Sequence, residues 1–275
     1  TTLSKELRNR TVPDYSTMTR TQIREWEKKS MQTAMIITYS AALTVTIMTI
    51  LKIPVSTSQA VVGAIAGVGL MQNNINLKGF GKVIVCWFGT PVGGIFFSFV
   101  FYFIFRFFLR RTKPPVCFYE PLMSFLLVVC GCYGAYALGA NNVANVTAVF
   151  VGQGMLNANQ AALLGGISIA IGALTFAKPV MITVGKGIVK LDSFSAFICV
   201  LAHSVTVHIY AIIGVPVSTS QAIIGAVLGI GIIKGVQTIN FRMLRFVSSG
   251  WIATPFVALF FSMFLYYLVN LRYMP

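Results

Sequence analysis

The chain has 275 residues, of which 56% are apolar and only 10% charged, and its mean hydropathy is +0.81. Those values exclude an ordinary soluble domain of this length. The net charge of +15 suggests nucleic acid when taken alone, but the cations sit in short stretches between apolar runs. Arg106, Arg110, Arg111 and Lys113 directly flank the end of one such run, which is the pattern of loops held on the positive side of a membrane.

In chain order, residues 1–30 carry seven Lys or Arg against four Asp or Glu and read as a polar, basic connector on the cytoplasmic side. This segment begins with Thr and lacks the apolar core of a signal peptide, so the native start is expected upstream. Beyond it, the stretches 31–51, 53–77, 83–105, 121–177, 193–233 and 246–271 contain no charged residue. Each is long enough for at least one helical crossing of a bilayer core, which takes about 20 residues. The expectation is a multi-pass protein of the cell membrane. Cys86, Cys130, Cys132 and Cys199 lie inside the apolar runs without Cys–His metal spacing, so no transition-metal or redox role is expected.

The chain repeats itself. Residues 53–69, IPVSTSQAVVGAIAGVG, return at 215–231 as VPVSTSQAIIGAVLGIG, with eleven of seventeen positions identical. Downstream, the segment from Trp87 to Pro91 returns as Trp251 to Pro255 with a two-residue shift. A unit of roughly 160 residues is far too long for a solenoid and fits one half of a transporter built from two related bundles. Residues 31–115 then form the C-terminal part of a first repeat and 116–275 a second. The expected fold is an all-α polytopic bundle of two homologous repeats, inverted with respect to each other, with re-entrant or broken half-helices.

Within each copy, Pro is followed by Ser-Thr-Ser-Gln and then by an apolar run with glycines at GxxxG spacing, Gly63 and Gly67 in one and Gly225 and Gly229 in the other. A helix starting at the serines exposes unpaired N–H groups and hydroxyls at an end of partial positive charge, which attracts anions. The run is short for a full crossing, so a half-helix starting inside the membrane is expected. Its glycines suit close helix approach. Ser56, Thr57, Ser58 and Gln59, with Ser218, Thr219, Ser220 and Gln221, are read as functional, because clustered hydroxyls and amides in lipid are costly without partners. A third polar island, Gly139-Ala-Asn-Asn-Val-Ala-Asn145-Val-Thr147, sits inside the uncharged stretch 121–177. Gly139 is expected to break a helix, with Asn142 and Asn145 sharing a face where it restarts. Such amides donate N–H to an oxyanion and offer carbonyl oxygens to a hard cation.

With GANNVAN at 139–145, VGKGIVKLD at 184–192 and two PVSTSQA copies in this order, the chain resembles the inorganic phosphate transporter (PiT) family. The resemblance covers nearly everything after residue 31. It implies import of inorganic phosphate by a secondary transporter, coupled to Na⁺ or H⁺. It also implies that Ser56, Thr57, Ser58, Asn141, Asn142, Ser218, Thr219 and Ser220 bind phosphate, while Gln59, Asn142, Asn145, Thr147 and Gln221 bind the cation. The family's motif has an aspartate where this chain has Asn142, which removes a carboxylate and favours Na⁺, held by hydroxyls and amides, over a proton. The family also carries an earlier copy of the Asn-rich motif, which is expected upstream as the first part of repeat one.

His203 and His208 lie in an apolar stretch and are read first as bundle packing, with a proton relay as the second reading. Glu120 and Asp192 are the only acids after residue 27. Glu120 stands as a secondary cation candidate. Trp87, Trp251, Tyr266 and Tyr267 suit interfacial belts or packing. No catalytic constellation is present, so an enzyme is not expected, nor is a cofactor other than Na⁺ as coupling ion. Expected partners are phosphate, Na⁺ or H⁺, and the lipid bilayer, with room left for a second copy of the chain. The competing functions are a sulfate permease, an uncoupled anion channel and a non-transporting scaffold. Duplication of a polar motif argues against the last, since packing alone tolerates apolar replacements.

Overall fold

The computed structural model describes residues 18–51, 53, 55–75, 77–152 and 154–271; residues 1–17 of the basic connector and Pro54 of the first PVSTSQA copy lie outside them. The described residues form α1 (Arg20–Ile50), α2 (Thr57–Met71), α3 (Leu77–Thr112), α4 (Val116–Gly152), α5 (Ala158–Gly187), α6 (Ser193–Ile213), α7 (Thr219–Lys234), a 3₁₀ turn (Val236–Thr238) and α8 (Phe241–Leu271). Six of these helices, α1, α3, α4, α5, α6 and α8, are long and apolar enough to cross a membrane. The other two, α2 and α7, are apolar but have only 15 and 16 residues, about 22–24 Å at 1.5 Å per residue. A bilayer core of about 30 Å therefore exceeds their length, and both begin at the repeated Ser-Thr-Ser-Gln.

The local rules for these ends are visible. α1 opens with a capping box in which Thr19 Oγ1 accepts from the Gln22 N–H and Gln22 Oε1 accepts from the Thr19 N–H, satisfying two N–H groups that the helix itself leaves unpaired. α6 closes at Gly214, whose φ of 77° is left-handed. That conformation suits glycine and lets its N–H bond back to the last turn at Tyr210 and Ala211.

The chain divides into two compact units. The first comprises residues 1–80, 142–176 and 249–275, and the second 81–141 and 177–248. In the first unit α1 and α2 share an apolar core in which Ala34, Ile37, Ala41, Ala60, Ala64 and Val68 are buried together with Ala258 of α8. Small residues dominate because lipid supplies no hydrophobic drive between helices, and close van der Waals contact has to replace it. In the second unit Ala137 of α4, Val207 of α6 and Ala222 of α7 play the same part.

The repeated glycines explain how each unit is assembled. In the first unit a Cβ on Gly63 of α2 would collide with the Pro255 backbone of α8, and one on Gly67 with Ser262 and the Leu259 carbonyl. In the second unit a Cβ on Gly225 of α7 would collide with the Pro91 backbone of α3, and one on Gly229 with Ser98 and Ile95. The two sets correspond position by position. Each short helix therefore packs on the proline-bearing helix of the opposite repeat. The serines at these contacts are fully buried and donate to their own helix, Ser98 to Ile95 O at 2.8 Å and Ser262 to Leu259 O at 2.9 Å, so no hydroxyl is stranded at the seam.

One expectation is corrected here. Gly139 does not break a helix, because α4 runs without interruption from Val116 to Gly152. A glycine inside a helix costs only about 1 kcal/mol relative to Ala, and the flanking Ala137, Leu138 and Ala140 are strong helix formers.

A charged contact ties the two ends of the α6–α7 segment. Asp192, the N-cap residue of α6, accepts from Lys234 at the end of α7 and from Ser195 Oγ at 2.7 Å. Burial alone would raise the carboxyl, but these hydrogen bonds outweigh it and hold Asp192 below its ordinary 3.8. Its contribution is therefore complete above that ordinary value and is lost as pH falls through the lowered one.

Three outcomes follow from these contacts. Gly225→Val should destabilise the purified protein by about 1–3 kcal/mol through overpacking, read as a lower midpoint of thermal unfolding. Gly131→Ala, where an added Cβ meets nothing within 4 Å, should be neutral or slightly stabilising. Asp192→Asn should lower the unfolding midpoint at pH 7, and its deficit against the parent should shrink as both are acidified below about pH 4; a deficit that stays constant with pH would mean that the ion pair contributes nothing.

Candidate functional site

The serines that open α2 and α7 are buried and serve as N-caps. Ser56 is 3% exposed and Ser218 1% exposed. Ser56 Oγ accepts from the Gln59 N–H at 3.4 Å and Ser218 Oγ from the Gln221 N–H at 3.3 Å. The caps take up the N–H groups of Gln59 and Gln221, and the first-turn N–H groups of any helix face out of its start because no carbonyl lies four residues before them. Because this positive end lies among protein side chains, its attraction for an anion is not quenched by water as it would be at a surface.

The first unit places Asn145 and Ser58 together. Asn145 Nδ2 donates to Ser58 Oγ at 3.2 Å, and both residues are buried. Thr147, also buried, spends its proton on the Val143 carbonyl at 2.7 Å, leaving its oxygen able only to accept. Gln59 is 3% exposed, and its Oε1 has no hydrogen-bond partner. The first unit thus joins two buried amide side chains, Gln59 and Asn145, with the buried hydroxyls of Ser56, Ser58 and Thr147 at one helix start.

The second unit holds Asn141 instead. Its Nδ2 donates to the Val217 carbonyl at 2.9 Å and its Oδ1 accepts from the Val217 N–H at 3.3 Å. One amide therefore satisfies both backbone groups of the residue that immediately precedes the Ser218 cap. This double bond to the irregular turn is a positioning contact, since a buried extended segment has no helix or strand to absorb its N–H and C=O. Ser218 Oγ lies 3.0 Å from Ser220 Oγ. Gln221, 6% exposed, leaves its Oε1 without a partner, as Gln59 does. The Val217 backbone is a partner that motif reading missed, because a carbonyl has no signature in sequence.

The Asn island is thus sorted by helical rotation. Asn141 and Asn145, four apart on an unbroken helix, are the buried pair, whereas Asn142 is half-buried. The expectation that Asn142 and Asn145 would share a restarted helix is replaced by this arrangement. Thr57, Thr219 and Ser220 are likewise half-buried.

The weaker candidates go elsewhere. Glu120 lies at the far end of α4, about 30 Å of helix from Asn141, and accepts from Ser193 Oγ at 3.0 Å. His208 Nδ1 is 2.7 Å from the Tyr133 hydroxyl and has the Tyr136 ring at its edge, a bond between α6 and α4. Trp87 and Trp251 are half-buried with their indole Nε1 enclosed and unpartnered, which fits packing rather than an interfacial belt, where that N–H would be wet.

Comparison with known proteins gives the same direction. The model of the "Phosphate transporter family" matches residues 3–262. A protein of Methanocaldococcus jannaschii named "Putative phosphate permease" is 28% identical over 227 residues, 82% of this chain and 71% of that protein. The "Sulfate permease" of Bacillus subtilis is 30% identical over 237 residues, 86% of this chain and 66% of its own length. A solved structure described as "The sodium-dependent phosphate transporter" superposes with a TM-score of 0.77 at 21% identity, covering 98% of this chain and 85% of that one; it shares the fold. This chain spans 71% and 66% of the lengths of these two relatives. Six membrane-length helices, two short helices opened by buried serine caps, and a family match over nearly all of the sequence lead to one conclusion: the chain belongs to the phosphate transporter family of multi-pass membrane proteins.

Proposed function

We propose that the protein imports inorganic phosphate by symport with Na⁺. The observation that carries this reading is the pair of unpartnered Gln59 and Gln221 carbonyl oxygens, each buried one turn inside a capped helix start. A helix start alone suits any small anion. A buried oxygen acceptor beside it calls for a cation or a proton donor, since an amide oxygen left without either costs about 1–3 kcal/mol.

In this reading phosphate is bound by Ser56, Thr57, Ser58, Asn141, Asn142, Ser218, Thr219 and Ser220. Their hydroxyl, amide and backbone donors replace water around the oxyanion. Na⁺, a hard cation, is taken by amide and hydroxyl oxygens of Gln59, Asn142, Asn145, Thr147 and Gln221, as such ions prefer. A cation beside the anion lowers the cost of carrying charge through lipid. Coupling follows if each ion binds more tightly to the state that already holds the other. With amides rather than carboxylates at these positions, nothing in the two half-sites would store a proton, which favours Na⁺ over H⁺ as the driving ion.

Sulfate is the second reading, supported by the sulfate permease among the relatives. It has the same tetrahedral shape but no proton to donate at neutral pH, so it would leave the glutamine acceptors to the cation alone. Hydrogen phosphate donates one hydrogen bond, and those acceptors would favour it.

The test is uptake of ³²P-phosphate by the full-length protein in liposomes, with and without an inward Na⁺ gradient and with sulfate as competitor. Uptake should require Na⁺ and resist equimolar sulfate. Asn145→Leu, which removes the donor to Ser58 and one oxygen ligand, should lower uptake about tenfold to a hundredfold, the worth of one hydrogen bond to a charged group. Gln59→Leu should raise the Na⁺ concentration needed for half-maximal uptake more than the phosphate concentration. Uptake driven equally well by a pH gradient would sink the Na⁺ assignment, and competition by sulfate at parity would sink phosphate selectivity.

A further inference from the structure

The first unit holds an open apolar groove of about 520 Å³ between α1 and α8, lined by Gln32, Met35, Tyr39 and Leu43 on one side and Leu265 and Val269 on the other. This volume is in the range of small-ligand pockets, about 300–1,000 Å³. Three of its walls are well exposed, Met35 by 49%, Tyr39 by 68% and Leu43 by 42%.

The internal repeat shows what a closed version looks like. Continuing the alignment of the repeated segments, Ala34-Met35-Ile36 corresponds to Ala196-Phe197-Ile198, and Gln32 to Phe194. The match of Ser262 with Ser98 likewise sets Tyr266 opposite Tyr102 and Val269 opposite Phe105. In the second unit these positions hold aromatic rings in contact. Tyr102 and Phe194 lie 5.5 Å apart, and Phe105 meets Phe197 edge-to-face at 4.9 Å. The first unit has Gln32, Met35 and Val269 where the second has three phenylalanines, and the space of those rings is the groove.

Its occupant can be named by chemistry. The stripe Gln32, Ile36, Tyr39 and Leu43 follows helical spacing, and one step back along it stands Lys29. The turns before Gln32 carry Arg20, Arg24, Lys28 and Lys29 against Glu25 and Glu27, and all six are exposed. An apolar slot that opens onto a cationic stretch at the end of a membrane helix matches a molecule with an acyl chain and an anionic head. We propose that this groove binds one anionic phospholipid, its acyl chain lying between α1 and α8 and its headgroup phosphate held at the level of Lys29. The lipid supplies in the first unit the packing that phenylalanine supplies in the second.

The experiment incubates the purified full chain with vesicles of phosphatidylcholine alone or of phosphatidylcholine with phosphatidylglycerol, then counts retained lipids by native mass spectrometry. The parent should keep one phosphatidylglycerol in preference to phosphatidylcholine. Met35→Phe with Val269→Phe, which copies the ring packing of the second unit, should lose that lipid, and Gln32→Phe alone provides the same reading should the pair not fold. Lys29→Gln should keep a lipid but lose the preference for phosphatidylglycerol. Equal retention in parent and filled variants, or equal retention of the two lipids by the parent, overturns the proposal. So does a filled variant whose oligomeric mass drops while its lipid count is unchanged, because the groove would then seat a second copy of the chain.

Discussion

A helix that begins inside a membrane protein has to find partners for the N–H groups that an ordinary helix presents to water. That requirement governs the structure around α2 and α7. Ser56 and Ser218 satisfy one group each, the Val217 turn before the second start is held from both sides by Asn141, and Ser58 after the first is tied to Asn145. A helix start of this kind carries partial positive charge wherever it lies, so the same few hydrogen-bonding atoms that hold the turn in place also set what the start can attract.

The close helix contacts serve this arrangement. A short helix that does not cross the bilayer lacks the anchorage that interfacial residues give a full span, so its position depends on packing along its length. Gly63 and Gly67, and in the other unit Gly225 and Gly229, allow backbone-to-backbone approach to Pro255 and Pro91. With no Cβ between them, the helices gain dispersion contact over a wide strip. Thr90 and Thr254, one residue before the prolines, bond back to their own helices at 2.6 Å and keep that strip free of unsatisfied hydroxyls.

Much of this was legible in the sequence, and what was not has physical reasons. The membrane class followed from charge-free stretches, and the helix starts from Ser-Thr-Ser-Gln after Pro, because capping is a local rule. The glycine spacing announced a close approach but not its partner, since a missing Cβ says only that something comes near. The Asn island stood out in the sequence as a polar run in an uncharged stretch, yet its geometry was misread at Gly139. A glycine marks tolerance of unusual backbone without compelling it, and the continuous α4 turns Asn141 rather than Asn142 inward beside Asn145. For Trp87 and Trp251 the residue type left an interfacial belt and packing both open, and the enclosure of their indole nitrogens, which favours packing, depends on tertiary neighbours that no periodicity encodes.

The pairing of each short helix with the proline helix of the opposite repeat has a consequence for how such a protein can arise. Copying a gene segment duplicates both halves of the contact at once, the glycine face and the proline face. A chain carrying a single repeat could reproduce the same geometry only by exchanging its proline helix with a second chain. Fusion of two such chains would convert an exchange between molecules into one within a molecule, and from then on neither repeat could change its seam without a matching change in the other.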